Sequence, residues 1–289
     1  MLDSIWEELE KKIHELLEEF VLANMERMYE DVNERVGTIA AEVGKTPQAW
    51  NGDVFSLIRK LTDSVMMPIA GAIITYVLCY ELISMVIEKN TLHDLDTWLF
   101  FKYIFKAAIA VYLVGHTMDI TLAVFDVGKH LASSSSGVIS HKTDVDVATL
   151  MEKMKEQMAD MKNGELLALV METAFVGILM KILSVIITVA LYGRMIEIYL
   201  YISVAPVPFA TFTNREWGQI GTHYLKGLFA LAFQAFFIMV CVGIYGVLVT
   251  NIHTSDNIHS ALFGVTGYAL LLMTAILKTG AHSRAIFNA

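Results

Sequence analysis

Residues 165–212 read ELLALVMETAFVGILMKILSVIITVALYGRMIEIYLYISVAPVPFATF. The stretch is almost wholly apolar, yet it contains Glu172, Lys181, Arg194 and Glu197 and ends on Pro206 and Pro208. A bilayer's hydrocarbon core is roughly 30 Å thick and takes about 20 helical residues. The stretch is about twice that length, so it is either two spans joined by a hairpin near Tyr192–Arg194 or one over-long helix. A hairpin needs Gly or Pro punctuation or a polar cluster. Gly177 and Gly193 stand alone and no proline precedes Pro206. One long helix is therefore expected, crossing once and extending beyond the lipid.

The rest of the chain fits that frame. Of 289 residues, 55% are hydrophobic and 18% charged, and the mean hydropathy is +0.54. Soluble domains carry nearer a quarter charged residues; this is the composition of a polytopic, all-α membrane protein. The net charge of -9 argues against a general nucleic-acid-binding surface, which needs Lys and Arg to neutralise phosphates. The two cysteines, Cys79 and Cys241, fall in apolar segments and give neither a disulfide framework nor a metal spacing. The acidic N-terminus lacks the basic-then-apolar pattern of a signal peptide.

Taken in order, residues 1–62 form a first region. Leu2, Ile5, Trp6, Leu9, Ile13, Leu16, Leu17 and Phe20 recur at helical spacing among six glutamates from Glu7 to Glu19, which predicts an amphipathic helix over 1–36. Helices that lie on anionic lipid have basic polar faces, so this acidic one is expected to pack on protein. Residues 37–62 read as a loop with a short helix at 54–61. Residues 63–126 hold two spans, Val65–Ile87 and Trp98–Phe125, separated by a polar loop. Glu81 lies in the first, where a carboxylate must face protein, water or the interface. Lys102 and Lys106 share a face of the second, among interfacial aromatics. His116 and Asp119 are three apart on one face of the same span and read as local hydrogen bonding. Residues 127–164 read as an external loop, flexible at Ser133–Ser136. It holds the solvated acids Asp144 and Asp146 and a helix carrying Met151, Met154, Met158 and Met161 in a stripe that is expected to pack on its own protein, the alternative being an adaptable partner-binding surface. Residues 165–289 contribute the long helix, spans at Tyr224–Thr250 and Ile258–Leu277 with a polar loop at 251–257 between them, and a basic tail.

Lys and Arg near span ends orient the chain. With five spans, Lys89, Lys102, Lys106, Arg194, Arg215, Lys226, Lys278 and Arg284 fall on one side, against Arg59, Lys60 and Lys129 on the other. This places the C-terminus in the cytoplasm and the N-terminal helix outside. No Gly-rich phosphate loop, His-Glu-x-x-His or Gly-x-Ser-x-Gly occurs, so no catalytic, cofactor or metal site is expected.

Arg194 and Glu197 lie three apart on one helical face, and Pro206 and Pro208 deprive preceding carbonyls of partners. Such backbone at membrane depth needs cover by protein or water. A subunit contact, a pore wall, a transporter site on a broken helix, and an internal ion pair at a helix end all fit. At Arg194-Met195-Ile196-Glu197 followed by Ala205-Pro206-Val207-Pro208-Phe209, the chain resembles the TrbL-type polytopic channel proteins of type IV secretion and conjugation systems. These are relatives of the sixth VirB-operon protein, in the form found in Gram-positive conjugative elements. The likeness covers about the C-terminal three-quarters. It implies an integral membrane subunit that assembles with copies of itself, as a pentamer, beside other secretion subunits and ATPases, on the path of a DNA–relaxase cargo or a protein, in contact with membrane lipids. It carries over to Arg194, Glu197, Pro206 and Pro208. Glu172, Lys181, Lys102 and Lys106 join them as path-lining or subunit-contact candidates because of their cost in lipid. A secondary transporter and a non-conducting scaffold are the alternatives.

Overall fold

The computed structural model describes residues 2–88, 97–139, 147–252 and 257–289. Among them every regular element is helical. The expected polar loops fall partly at 89–96 and 253–256, and Asp144 and Asp146 fall at 140–146; these lie outside the described residues.

Helix α1 runs Leu2–Val43, seven residues beyond its expected end. The segment read as a loop is mostly helical too. Thr46 caps a single turn, α2 (Pro47–Trp50), with Pro47 at the position where a missing N–H costs nothing. Asn51 then caps α3 (Gly52–Leu61), its side chain accepting from the N–H groups of Asp53 and Val54. A π turn at Thr62–Met66 carries α3 into α4 (Met67–Glu88). Pro68 explains the turn: it offers no N–H to the carbonyl of Ser64, and the wider ring accommodates the proline. The Thr62 hydroxyl donates to Ile58 O and Ser203 O there. The first span is therefore Gly52–Ile87, not a separate short helix followed by a span.

The second span is shorter than expected. Helix α5 (Thr97–Gly115) ends at His116, whose ring stacks on Tyr112 at 4.1 Å, and α6 (Thr117–Ile139) follows. Residues 126–139, read as the start of a flexible loop, are the second half of α6, and Ser133–Ser136 are helical. The serine cluster outweighed a helical period that continues through it: Thr121, Val124, Phe125, Gly128 and Ala132 are buried at spacings of three and four. Helix α7 (Val147–Ala159) buries Leu150, Met154 and Met158 and packs against α1, as the methionine stripe implied.

The stretch quoted first is one helix, α8 (Asn163–Val204), 42 residues long and so about 63 Å from end to end. Pro206 and Pro208 begin a short helix, α9 (Pro206–Thr211), whose first turn has no need of their N–H groups. Helices α10 (Gly218–Asn251) and α11 (Ile258–Phe287) complete the chain, the latter taking in most of the expected tail. Among the described residues, five helices are long and apolar enough to cross a membrane: Gly52–Ile87, Trp98–Gly115, Asn163–Val204, Gly218–Asn251 and Ile258–Phe287. The over-long central helix and the five-span reading hold.

The chain forms two compact units. One comprises residues 1–43, 132–191 and 237–279, the other residues 44–131, 192–236 and 280–289. In the first, α1 is tied along α8 by Asn24 Nδ2 donating to Thr173 Oγ1 (3.3 Å) and by Arg35 donating to Met180 O (2.7 Å). His14 meets the Asn163 side chain at 3.0 Å. The partners advance together in sequence, so the two helices run parallel. Val21, Met25, Met28, Tyr29 and Val32 are buried on one face of α1, while Glu26, Glu30 and Glu34 are exposed. In the second unit, one core joins Val124 and Phe125 of α6, Met195 to Ile202 of α8, and Leu228 to Ala232 of α10. Another gathers Ala70 and Ile74 of α4, Ala110 and Val114 of α5, and Phe209 of α9. Residues beside both prolines thus pack on α4 and α5.

Candidate functional site

The charged residues of α8 have different surroundings. Arg194 is 7% exposed and donates from its guanidinium to Leu231 O at 3.4 Å. Glu197 does not pair with it. The carboxylate instead takes Arg284 of α11, in an ion pair whose side chains remain about a third to two-fifths exposed. Nearby, Ser283 Oγ donates to Ala230 O, and Phe287 stacks on Phe229 and meets Phe233 at a tilt, fixing the end of α11 on α10. Pro206 and Pro208 are buried on α9. Tyr199, one turn past Met195, donates to Pro47 O at 2.7 Å and packs with Tyr192 around Trp50, so the α2 turn is pinned to α8. Glu172, in the first unit, meets the His259 ring at 2.5 Å with both side chains partly exposed, and Lys181 is exposed. The shared face of Arg194 and Glu197 was legible in the sequence; their separate partners, Leu231 and Arg284, come from helices far along the chain and left no local signal.

Lys102 and Lys106 are brought together with three other charged residues, Glu81, Arg215 and Glu216. They line a cavity of 330 Å³ with Tyr80, Glu81, Ser84, Met85, Leu99, Tyr103, Arg215 and Glu216. Its scaffold follows from local chemistry. Asn214 accepts from the N–H groups of Glu216 and Trp217 (both 2.8 Å), a side-chain-closed turn that ends the run after α9 and starts α10. Gly221 lets that start approach Pro208 O, where a Cβ would stand at 2.7 Å. Glu81 then joins three elements: one oxygen accepts from Lys106 Nζ (2.8 Å), the other from Arg215 N (2.9 Å). Tyr80 donates to Glu216 (2.8 Å), Tyr103 to Leu78 O (3.0 Å), and Tyr76 stacks on Trp217. The expense of Glu81 in a span is met by these partners. The missed signal was that Glu81, Arg215 and Glu216, like the lysines, sit at span ends.

Among the described residues, five helices long and apolar enough to cross a membrane define a multi-pass helical membrane protein. A family model described as TrbL/VirB6 plasmid conjugal transfer like protein matches residues 32–206. The chain belongs to that family, which makes it a component of conjugative type IV secretion. Comparison with curated proteins and with solved structures gives no match. The matched region begins inside α1, earlier than the resemblance implied, and includes Lys102, Lys106, Glu172, Lys181, Arg194, Glu197 and Pro206. It ends before Pro208 and the last two spans.

Proposed function

We propose that this chain is a channel-forming subunit of a conjugative secretion machine and that copies of it surround part of the translocation path as a pentamer. The observation that carries the proposal is the family match over residues 32–206, which takes in α8 as far as Pro206. The exposed carboxylates of α1 support it. Asn24 and Arg35 hold α1 beside Thr173 and Met180 of membrane-spanning α8, and Glu26, Glu30 and Glu34 on that stretch of α1 are exposed. Carboxylates at such a position are stable only against water or protein. A water-filled path, or a neighbouring copy, provides that.

In this reading Lys181 and the Glu172–His259 pair are path-wall or subunit-contact groups. Arg194 ties α8 to α10, and the two prolines start α9 where α8 ends. In this reading the C-terminus is cytoplasmic, following the bias of Lys and Arg. The subunit performs no catalysis; ATPases in the machine supply the energy, and the cargo is a DNA–relaxase complex or a protein. The test is a donor strain in which the gene is deleted and then restored. Transfer should fall below detection on deletion and return with the intact chain. Undiminished transfer from the deletion strain would overturn the proposal.

A further inference from the structure

The cavity between the end of α4, the start of α5 and the 214–217 turn has a composition that a purely structural salt bridge does not require. Its wall carries three cations, Lys102, Lys106 and Arg215, against two carboxylates, Glu81 and Glu216. Both oxygens of Glu81 are already engaged, with Lys106 and Arg215 N, and Glu216 receives the Tyr80 hydroxyl. Lys102 is exposed at the wall and makes no ion pair with a described residue. Among the described lining residues, the cations therefore exceed the carboxylates by one.

Its location restricts the ligand. Glu81 and Met85 lie in the last two turns of the span Gly52–Ile87, Leu99 and Lys102 in the first two turns of the span Trp98–Gly115, and Lys106 one turn further in. Span ends lie at headgroup level. The flank of α5 there is aromatic: Trp98, Phe101 and Phe105 are exposed, and Trp98 stacks on Phe101 at 6.2 Å. That is the interfacial belt of a membrane protein. Met85 and Leu99 give the cavity an apolar side, whereas Ser84 gives it a hydroxyl. At 330 Å³ it lies at the small end of ligand pockets, which run from about 300 to 1,000 Å³.

We propose that this cavity binds the phosphate of an anionic phospholipid headgroup, Lys102 supplying the charge and Met85 with Leu99 receiving the start of an acyl chain. Basic pockets between spans are suited to such headgroups. A nucleic-acid strand fits less well: a polyanion needs a row of cations, and here two carboxylates share the wall with three cations. The site is independent of the transfer role and depends only on the chain's residence in a membrane.

The test is native mass spectrometry of the full chain released from detergent, with phosphatidylglycerol or phosphatidylcholine added at equal concentration. Phosphatidylglycerol should be retained in preference to phosphatidylcholine. Lys102→Gln should weaken its retention about fivefold, the effect of one cation near a lipid surface. Lys102→Arg should restore it, and Lys60→Gln, on exposed α3, should leave it unchanged. The melting temperature of each variant establishes that it is folded. Equal retention of the two lipids, or full retention by folded Lys102→Gln, would overturn the proposal. Displacement of phosphatidylglycerol by an equal concentration of sn-glycerol 3-phosphate or of a single-stranded oligonucleotide would also overturn it, assigning the charge to a soluble phosphate or to nucleic acid.

Discussion

Gly128 is the position where the helical packing is least able to yield. A Cβ built there would stand 2.7 Å from Ala232 O and 3.1 Å from both the carbonyl carbon and the Cα of the same residue. All three atoms are backbone, so no side chain can rotate away. To accept Gly128→Ala, α6 and α10 must open until the 2.7 Å approach reaches ordinary contact at 3.4 Å or more, which disturbs the core shared by Phe125, Ile202 and Leu231. Overpacking of this kind costs about 1–3 kcal/mol. Alanine's higher helix propensity returns up to about 1 kcal/mol, leaving a net loss of up to about 2 kcal/mol. Gly193→Ala is the matched control. It lies inside α8, and nothing comes within 4 Å of its Cβ position, so only the propensity gain of up to about 1 kcal/mol remains. Thermal unfolding of the detergent-solubilised chain, followed by size-exclusion recovery after heating, should rank Gly193→Ala at or above the parent and Gly128→Ala clearly below it. Gly128→Ala as stable as the parent would refute the close α6–α10 approach.

Two further predictions concern buried polar groups. Tyr29 is fully buried on α1, and burial pushes its phenol from 10.0 up to about 12. Its folded pKa exceeds its unfolded value, so its contribution is complete below pH 10 and is lost as pH rises through 12, amounting to roughly 3 kcal/mol when fully lost. Unfolding midpoints measured from pH 9 to 12 should fall more steeply for the parent than for Tyr29→Phe; parallel curves would contradict the assignment. Arg194→Glu places a carboxylate opposite Leu231 O in a buried site and should cost about 3–5 kcal/mol. Arg194→Met, of similar length and no charge, should cost under about 1.5 kcal/mol. A folded, transfer-competent Arg194→Glu protein would remove Arg194 from the interior.

Much of this architecture was legible in the sequence because lipid restricts the options. The absence of punctuation from Glu165 to Ala205 sufficed to predict α8 as one helix, since every backbone group in a span must be satisfied within it. The Met154 and Met158 stripe likewise predicted burial correctly. The errors arose where composition and period disagreed. Ser133–Ser136 suggested a flexible loop by residue type, but the buried period through Gly128 and Ala132 continues the helix. The π turn before Pro68 joined what read as two segments, because one wide turn absorbs the proline's missing donor. For the candidate residues, a cost in lipid located the charges but not their partners. Lys106 with Glu81, Glu172 with His259, and Glu197 with Arg284 each join residues from different helices, and spacing within a helix holds no information about such pairs. The cavity at Lys102 was hidden for the same reason: its wall comes from three separate span ends.

The central claim is that copies of this chain assemble around a path. Single-particle imaging of the full chain, purified in mild detergent, tests it most directly. The account predicts a ring of five copies with a central opening, the exposed carboxylates of α1 facing water or a neighbour. A strictly monomeric particle with no opening, at concentrations where the protein is folded, would contradict it.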